Sequence, residues 1–287
     1  MSNGLQVQLR HLAFASIGLL LLAGATFANE ASSEFITTSL MEDGKPVRLE
    51  LLIQKPPGPG PFPTVVFNHG STGRGNNPEL FRRSWSSPAV AAYFVERGWL
   101  VIFPQRRGRG ASDGRYDEGF EPDRSRYACQ ASLSLPGVDR AVEDLDEVMA
   151  YVRSRPDVQV DRMLIGGQSR GGILAVAYAG ERPDAFIGVV NFVGGWMSDG
   201  CGNATLINTT TFRRGARFAR NTLWLYGDQD PFYSLTHSRA NYAAFLSAGG
   251  KGHFESYRVP GQNSGHSVIF HPSLWSGHLT QYLESIK

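Results

Sequence analysis

"GGQSRGGILA", residues 166–175, sets one serine among four glycines directly after the apolar run "RMLI" at 162–165. Glycine accepts backbone angles and close approaches that other residues cannot, so this density marks a tight turn holding the Ser169 side chain in a fixed place. Gly167-Gln168-Ser169-Arg170-Gly171 reads G-x-S-x-G between a strand and a helix. That context lifts a serine hydroxyl above a sheet edge and puts the free N–H groups of a helix start beside it. An ordinary glycine-rich turn is the plain alternative, and the pentapeptide alone does not decide between them.

The flanks supply a fold. "PVRLELLIQ" alternates like a half-exposed strand and is separated by the proline- and glycine-rich loop "KPPGPGPFP" from the β-branched run "TVVFN". An amphipathic helix in "SPAVAAYFVERG" stops at Gly98, and the apolar strand "WLVIFP" follows. In "GVDRAVEDLDEVMAYVRSRP" one stripe carries Val138, Ala141, Val142, Leu145, Val148, Met149 and Val152, with Pro156 just past its end. After the opening stretch come strands "FIGVVNFV", "TLWLYG" and "HFESYRV", and helices through "HSRANYAAFLSAGG" and "PSLWSGHLTQYLESI". Strands alternating with helices of this length imply an α/β fold, a mostly parallel central sheet with helices on both faces. Functional groups in such folds gather at the carboxyl ends of the strands.

A serine becomes a nucleophile only when a base takes its proton, so the reading requires a histidine and an orienting carboxylate further along the chain. Strand "TLWLYG" ends in "GDQDP", offering Asp228 and Asp230, and strand "HFESYRV" leads into "PGQNSGHS", which carries His266 among small residues. His271, beside Pro272, is the rival base and reads more simply as a helix-start residue; His237 and His278 fall within helices and His253 opens a strand. An oxyanion needs two N–H donors. One is expected from Arg170, after the serine, and the other from the loop "FNHGSTG", where Gly70 allows backbone approach and Ser71 supplies the amide. His69 is expected to fix that loop by hydrogen bonds. "GSTGRG" lacks the Lys-Ser/Thr pair of a nucleotide-binding loop.

The 287 residues carry a net charge of +2 with both signs interspersed, so no nucleic-acid stripe is present, and "QRRGRG" is the one basic knot. The first residues differ in kind. Arg10 precedes an apolar run, and the small residues Thr26 and Ala28 suit cleavage before Asn29. Residues 1–28 are therefore expected to be a signal peptide and residues 29–287 a single exported domain, periplasmic or secreted, with no stable membrane insertion after cleavage. Cys129 and Cys201 are the only cysteines; in an oxidising compartment they either bridge or remain two buried thiols.

From about residue 45 to its end the chain resembles the α/β-hydrolases, and within them the dienelactone-hydrolase and prolyl-oligopeptidase-like branch. The resemblance rests on His69-Gly70, "RRGRGASDG" at 106–114, the turn at 167–171, Gly227-Asp228-Gln229-Asp230 and Gly265-His266. It implies a Ser-His-Asp triad with the acid at the fourth place of G-x-x-D, hence Ser169, His266 and Asp230. Two departures matter. The name-giving dienelactone enzymes have a cysteine where this chain has Ser169, and Gln105 stands where many relatives carry a structural aspartate.

Residues 115–136 and 196–212 join strand ends to later elements over unusual lengths and are expected to form a small lid over Ser169, with Cys129 and Cys201 on it. The expected function is a serine hydrolase acting on a small-molecule ester or acyl bond, without metal or organic cofactor. A small exopeptidase or amidase, or a binding protein on an idle hydrolase fold, are the alternatives.

Overall fold

Continuous apolar runs should form strands buried on both faces, and every residue of "LVIFP", "GVVNF" and "TLWLYG" is buried. The computed structural model describes Met1, residues 30–73, Gly75 and residues 77–286; the remainder of the expected signal peptide lies outside the described residues. The strands are β1 (Glu30–Glu42), β2 (Lys45–Lys55), β3 (Phe62–Asn68), β4 (Leu100–Pro104), β5 (Val158–Gln168), β6 (Gly188–Phe192), β7 (Thr222–Gly227) and β8 (Gly252–Tyr257). They form one eight-stranded sheet in the order β1-β2-β4-β3-β5-β6-β7-β8. β2 runs antiparallel to both its neighbours, and all other pairs are parallel.

The helices are α1 (Pro78–Phe81), α2 (Pro88–Val95), α3 (Ala131–Ser154), α4 (Arg170–Glu181), α5 (Ala204–Arg214), α6 (Leu235–Ser247) and α7 (Pro272–Ser285). α2 packs on α7 through Tyr93 and Trp275, whose rings lie 5.3 Å apart. α4 packs on α3 and α5, and α5 on α6. The strand order fixes where a site belongs. After β3 the chain turns to β4 on one side, while β5 lies on the other, so the loops leaving β3 and β5 diverge and leave a crevice at their carboxyl ends. Asn68 and Gly167 are paired at that point, which puts the Gly70–Ser71 loop beside Ser169.

Four elements depart from the sequence reading. β1 precedes the first expected strand; it is an edge strand with mostly polar residues, on which Ile36 and Thr38 are buried. α1 is a four-residue turn capped by Asn77. α3 begins at Ala131 rather than after Pro136. Leu133 and Ser134 both donate to Gln130 O, so the helix is already under way when Pro136 arrives, and proline there removes a single ladder bond. The first excursion is accordingly 115–130. More than half of the second one is α5, whose Ile207 and Phe212 reach the core.

The basic knot is interior. Arg106, Arg107 and Arg109 are all buried; Arg106 pairs with Glu118, and Arg107 with Asp144 and Glu143. Buried guanidinium groups need such partners, so these charges are spent inside the molecule.

Candidate active site

Ser169 is the residue between β5 and α4, and its backbone sits at φ 57°, ψ −123°. A side chain at that conformation is strained, by about 1–3 kcal/mol, and persists where the surroundings dictate it. They do so here. Ser169 N donates to Phe192 O, and Ser169 O accepts from Gly172 and Ile173 at the head of α4. A β-carbon at Gly171 would stand 2.2 Å from Asn68 O, and one at Gly167 2.3 Å from Gly171 C, so β3, β5 and α4 meet only because both positions lack side chains. A β-carbon at Gly70 would lie 3.0 Å from that of Ser169, which measures how closely the β3 loop abuts it.

His266 lies in the 3-10 turn Gly265–Phe270 after β8, its carbonyl held by Gln168 Nε2. Its Nδ1 donates to Asp230 Oδ2 at 2.8 Å, which leaves the lone pair of Nε2 toward the cavity. Asp230 is fully enclosed, and its other oxygen accepts from the amides of Phe232 and Tyr233. Three donors to one buried carboxylate hold it in place. Asp228 points elsewhere and accepts from Val259 N. Asp230→Asn is therefore expected to lower ester turnover by about 10³- to 10⁴-fold, through the wrong imidazole tautomer. Asp228→Asn should cost less than about tenfold, and steady-state rates of the two variants check the order. His271 stands at the start of α7, and His237 bonds Asn208.

Ser71 and Arg170 border the same cavity, and neither amide donates to a protein acceptor among the described residues. His69 is buried beneath them. It bonds Gly70 O and accepts from Arg106 N, and burial together with the charges of Arg106 and Arg109 pushes its pKa well down, so it stays neutral. Gln105 holds both backbone groups of Trp85 at 2.7 and 2.8 Å. A carboxylate at this position would lack the donor half of that grip.

A cavity of about 770 Å³ opens over these groups, within the usual size of ligand pockets. Ser169, His266, Ser71 and Arg170 all line it, together with aromatic walls that include Trp85 and Trp196. The two excursions supply much of the wall, among them Tyr127 and Cys129 from the first and Trp196 and Cys201 from the second. Cys129 and Cys201 are disulfide-bonded with Cα atoms 5.6 Å apart, and Asn203 Nδ2 also donates to Cys129 O. Reading the sequence missed a second tie. The Arg170 side chain, wholly buried, donates to Glu118 O in the first excursion and Trp196 O in the second, and lies 3.6 Å from the Tyr127 ring centre.

Glu118 is its counter-charge. Burial alone would raise the Glu118 pKa, but the charges of Arg106 and Arg170 and the hydrogen bond from Arg106 outweigh that and hold it below the ordinary value. Tyr116 donates to Glu118 and shares a hydrogen bond with Tyr127, whose hydroxyl accepts from Thr72 N in the β3 loop. The excursion is thus a buried wedge behind the β3 loop as well as a pocket wall. Its run "RYDEGFEPDRSRY" is so polar that only the recurring tyrosines hinted at burial.

The chain has the α/β-hydrolase fold. It superposes on an esterase from Pyrococcus furiosus with TM-score 0.60 at 14% identity, over 90% of this chain and 91% of that one. A Butyrivibrio proteoclasticus protein with ferulic acid bound gives TM-score 0.60 at 14% identity, covering 88% and 98%. An acetyl xylan esterase from a Paenibacillus species gives 0.57 at 16%, covering 90% and 89%. Residues 80–198 match the family model described as serine aminopeptidase, S33, a span that contains Ser169 and ends before Asp230 and His266. No curated protein matches the chain in sequence.

Proposed function

We propose that this α/β-hydrolase is a serine hydrolase that cleaves an ester or related acyl bond through an acyl-enzyme. One observation carries the reading: the Asp230–His266 pair opens onto the cavity that also presents Ser169 from its strained turn. Ser169 Oγ attacks the carbonyl carbon as His266 takes its proton, Asp230 holds the resulting imidazolium, and the amides of Ser71 and Arg170 receive the oxyanion. His266 then protonates the leaving group, and water repeats the sequence on the acyl-enzyme.

The aminopeptidase described by the family model is the second reading. An aminopeptidase has to meet a free α-ammonium group with a carboxylate. Among the described residues, the cavity lining contains Arg126 and Arg170 and no aspartate or glutamate, which favours the ester reading. The pure protein should react with a fluorophosphonate probe at Ser169 and turn over short-chain nitrophenyl esters faster than aminoacyl anilides. Faster anilide turnover would support the peptidase, and absence of labelling a binding protein. Export of the chain, with cleavage before Asn29, belongs to the same proposal and is supported by the disulfide, a bond of oxidising compartments. Mass spectrometry of the exported chain's first residue checks it.

A further inference from the structure

Two tyrosines clamp the turn that follows β6. Tyr226 donates its hydroxyl to Gly194 O at 2.8 Å, and Tyr233 donates to Gly195 O at 2.7 Å. The bonds are alike and their surroundings are not. Tyr226 is sealed in the core, whereas Tyr233 forms part of the cavity wall with its ring centre 5.6 Å from that of His266. The same turn is joined to the nucleophile, because Gly195 N donates to Ser169 O.

A phenol has one proton. With that proton committed to Gly195 O, the Tyr233 oxygen offers only lone pairs to its other neighbours. Ser169 lines the same cavity, and Gly195, whose carbonyl takes the Tyr233 proton, donates its amide to Ser169 O, so one residue links the phenol to the serine. Burial raises the phenol above its ordinary range by more than Ser169 and the charge of Arg170 lower it, so it remains neutral. An acceptor in this place shares the cavity with two different donors in turn during a catalytic cycle. In the free enzyme the donor is the Ser169 hydroxyl. In the acyl-enzyme Ser169 Oγ is an ester oxygen without hydrogen, and the donor that enters beside His266 is the hydrolytic water.

We propose, resting on the serine-hydrolase reading of this site, that Tyr233 is a catalytic residue of deacylation that accepts one hydrogen of the attacking water while His266 accepts the other. The water oxygen bonds to the acyl carbon as its proton passes to His266 Nε2. Collapse of the tetrahedral intermediate breaks the carbon–Oγ bond and returns that proton to Oγ, and the second hydrogen leaves on the product acid. The phenol exchanges no proton. Acylation gains nothing from it, because the Ser169 hydrogen has to pass to His266.

The test is the fate of one acyl-enzyme. Methanol has a single hydroxyl hydrogen, which His266 takes, so methanolysis gives Tyr233 nothing to accept. With nitrophenyl acetate in water containing methanol, Tyr233→Phe should raise the ratio of methyl acetate to acetate by about tenfold or more, the scale of a lost positioning contact. Stopped-flow traces should show its deacylation rate constant falling by the same factor relative to that of acylation. Tyr226→Phe, which loses the equivalent bond outside the cavity, should keep the wild-type ratio. Partition compares two fates of one species, so a variant that folds only in part still reports it. An unchanged partition ratio in Tyr233→Phe, or an equal fall of both rate constants, overturns the role of Tyr233. Failure of wild-type Ser169 to react with a fluorophosphonate overturns the serine-hydrolase reading instead.

Discussion

Ser169→Ala is expected to lower ester turnover by about 10⁴- to 10⁶-fold, leaving only the oxyanion donors and substrate binding to act. The fold should be retained, since the Ser169 backbone is fixed by Phe192, Gly172 and Ile173 and its hydroxyl carries none of those bonds. Ser169→Gly should be equally inactive yet more stable than Ser169→Ala by about 1 kcal/mol. Alanine still has to occupy φ 57°, ψ −123° with a β-carbon, and glycine does so without strain. Turnover of nitrophenyl acetate and denaturant unfolding of the two variants measure both halves of the expectation. Substantial turnover by either variant would remove Ser169 from the role of nucleophile.

Loss of the Cys129–Cys201 bond should produce the largest change in stability. The bond spans 72 residues, for which the chain-entropy model gives about 4 kcal/mol. In a chain of this size the melting temperature of the double serine variant should fall by on the order of 10 °C. Labelling of Ser169 by a fluorophosphonate should persist, because neither sulfur has a chemical part in it, while KM should shift most for esters with large acyl groups. Calorimetry with and without reductant checks the first statement, and a series of acyl chain lengths the second. A melting temperature indifferent to reduction would show that the remaining contacts already hold the two excursions.

Much of this architecture was legible because its signals are local. Continuous apolar runs marked β4, β6 and β7, a 3.6-residue stripe marked α3, and glycines marked the turn around Ser169. Placement of Asp230 and His266 at strand ends was equally legible, since topology puts such ends together, and the structure joins them at 2.8 Å. β1 escaped because an edge strand buries little: Ile36 and Thr38 are isolated among polar residues. The first turns of α3 escaped because Pro136 reads as a boundary. The Arg170–Glu118 pair escaped for a different reason. Its members are 52 residues apart, and a charged residue in a polar run carries no mark of the partner that lets it be buried. Tyr233 was silent in the same way, since its bond to Gly195 O joins residues 38 positions apart.

The second tie across the pocket has a consequence for how such a pocket diversifies. Arg170 follows Ser169 at the head of α4, and its side chain fastens both walls, through Glu118 O and Trp196 O. The loops that would set substrate choice are therefore not exchangeable parts mounted on a fixed catalytic base. A transplanted wall that did not bring a carboxylate and a carbonyl into the register of Glu118 and Trp196 would leave the guanidinium beside Ser169 unmatched in the interior. Variation in this lineage is expected to come in linked sets, with the residue after the serine changing together with both walls. Engineering of acyl preference should start from open-ended positions on the rim, such as Phe232, whose alteration leaves that linkage alone.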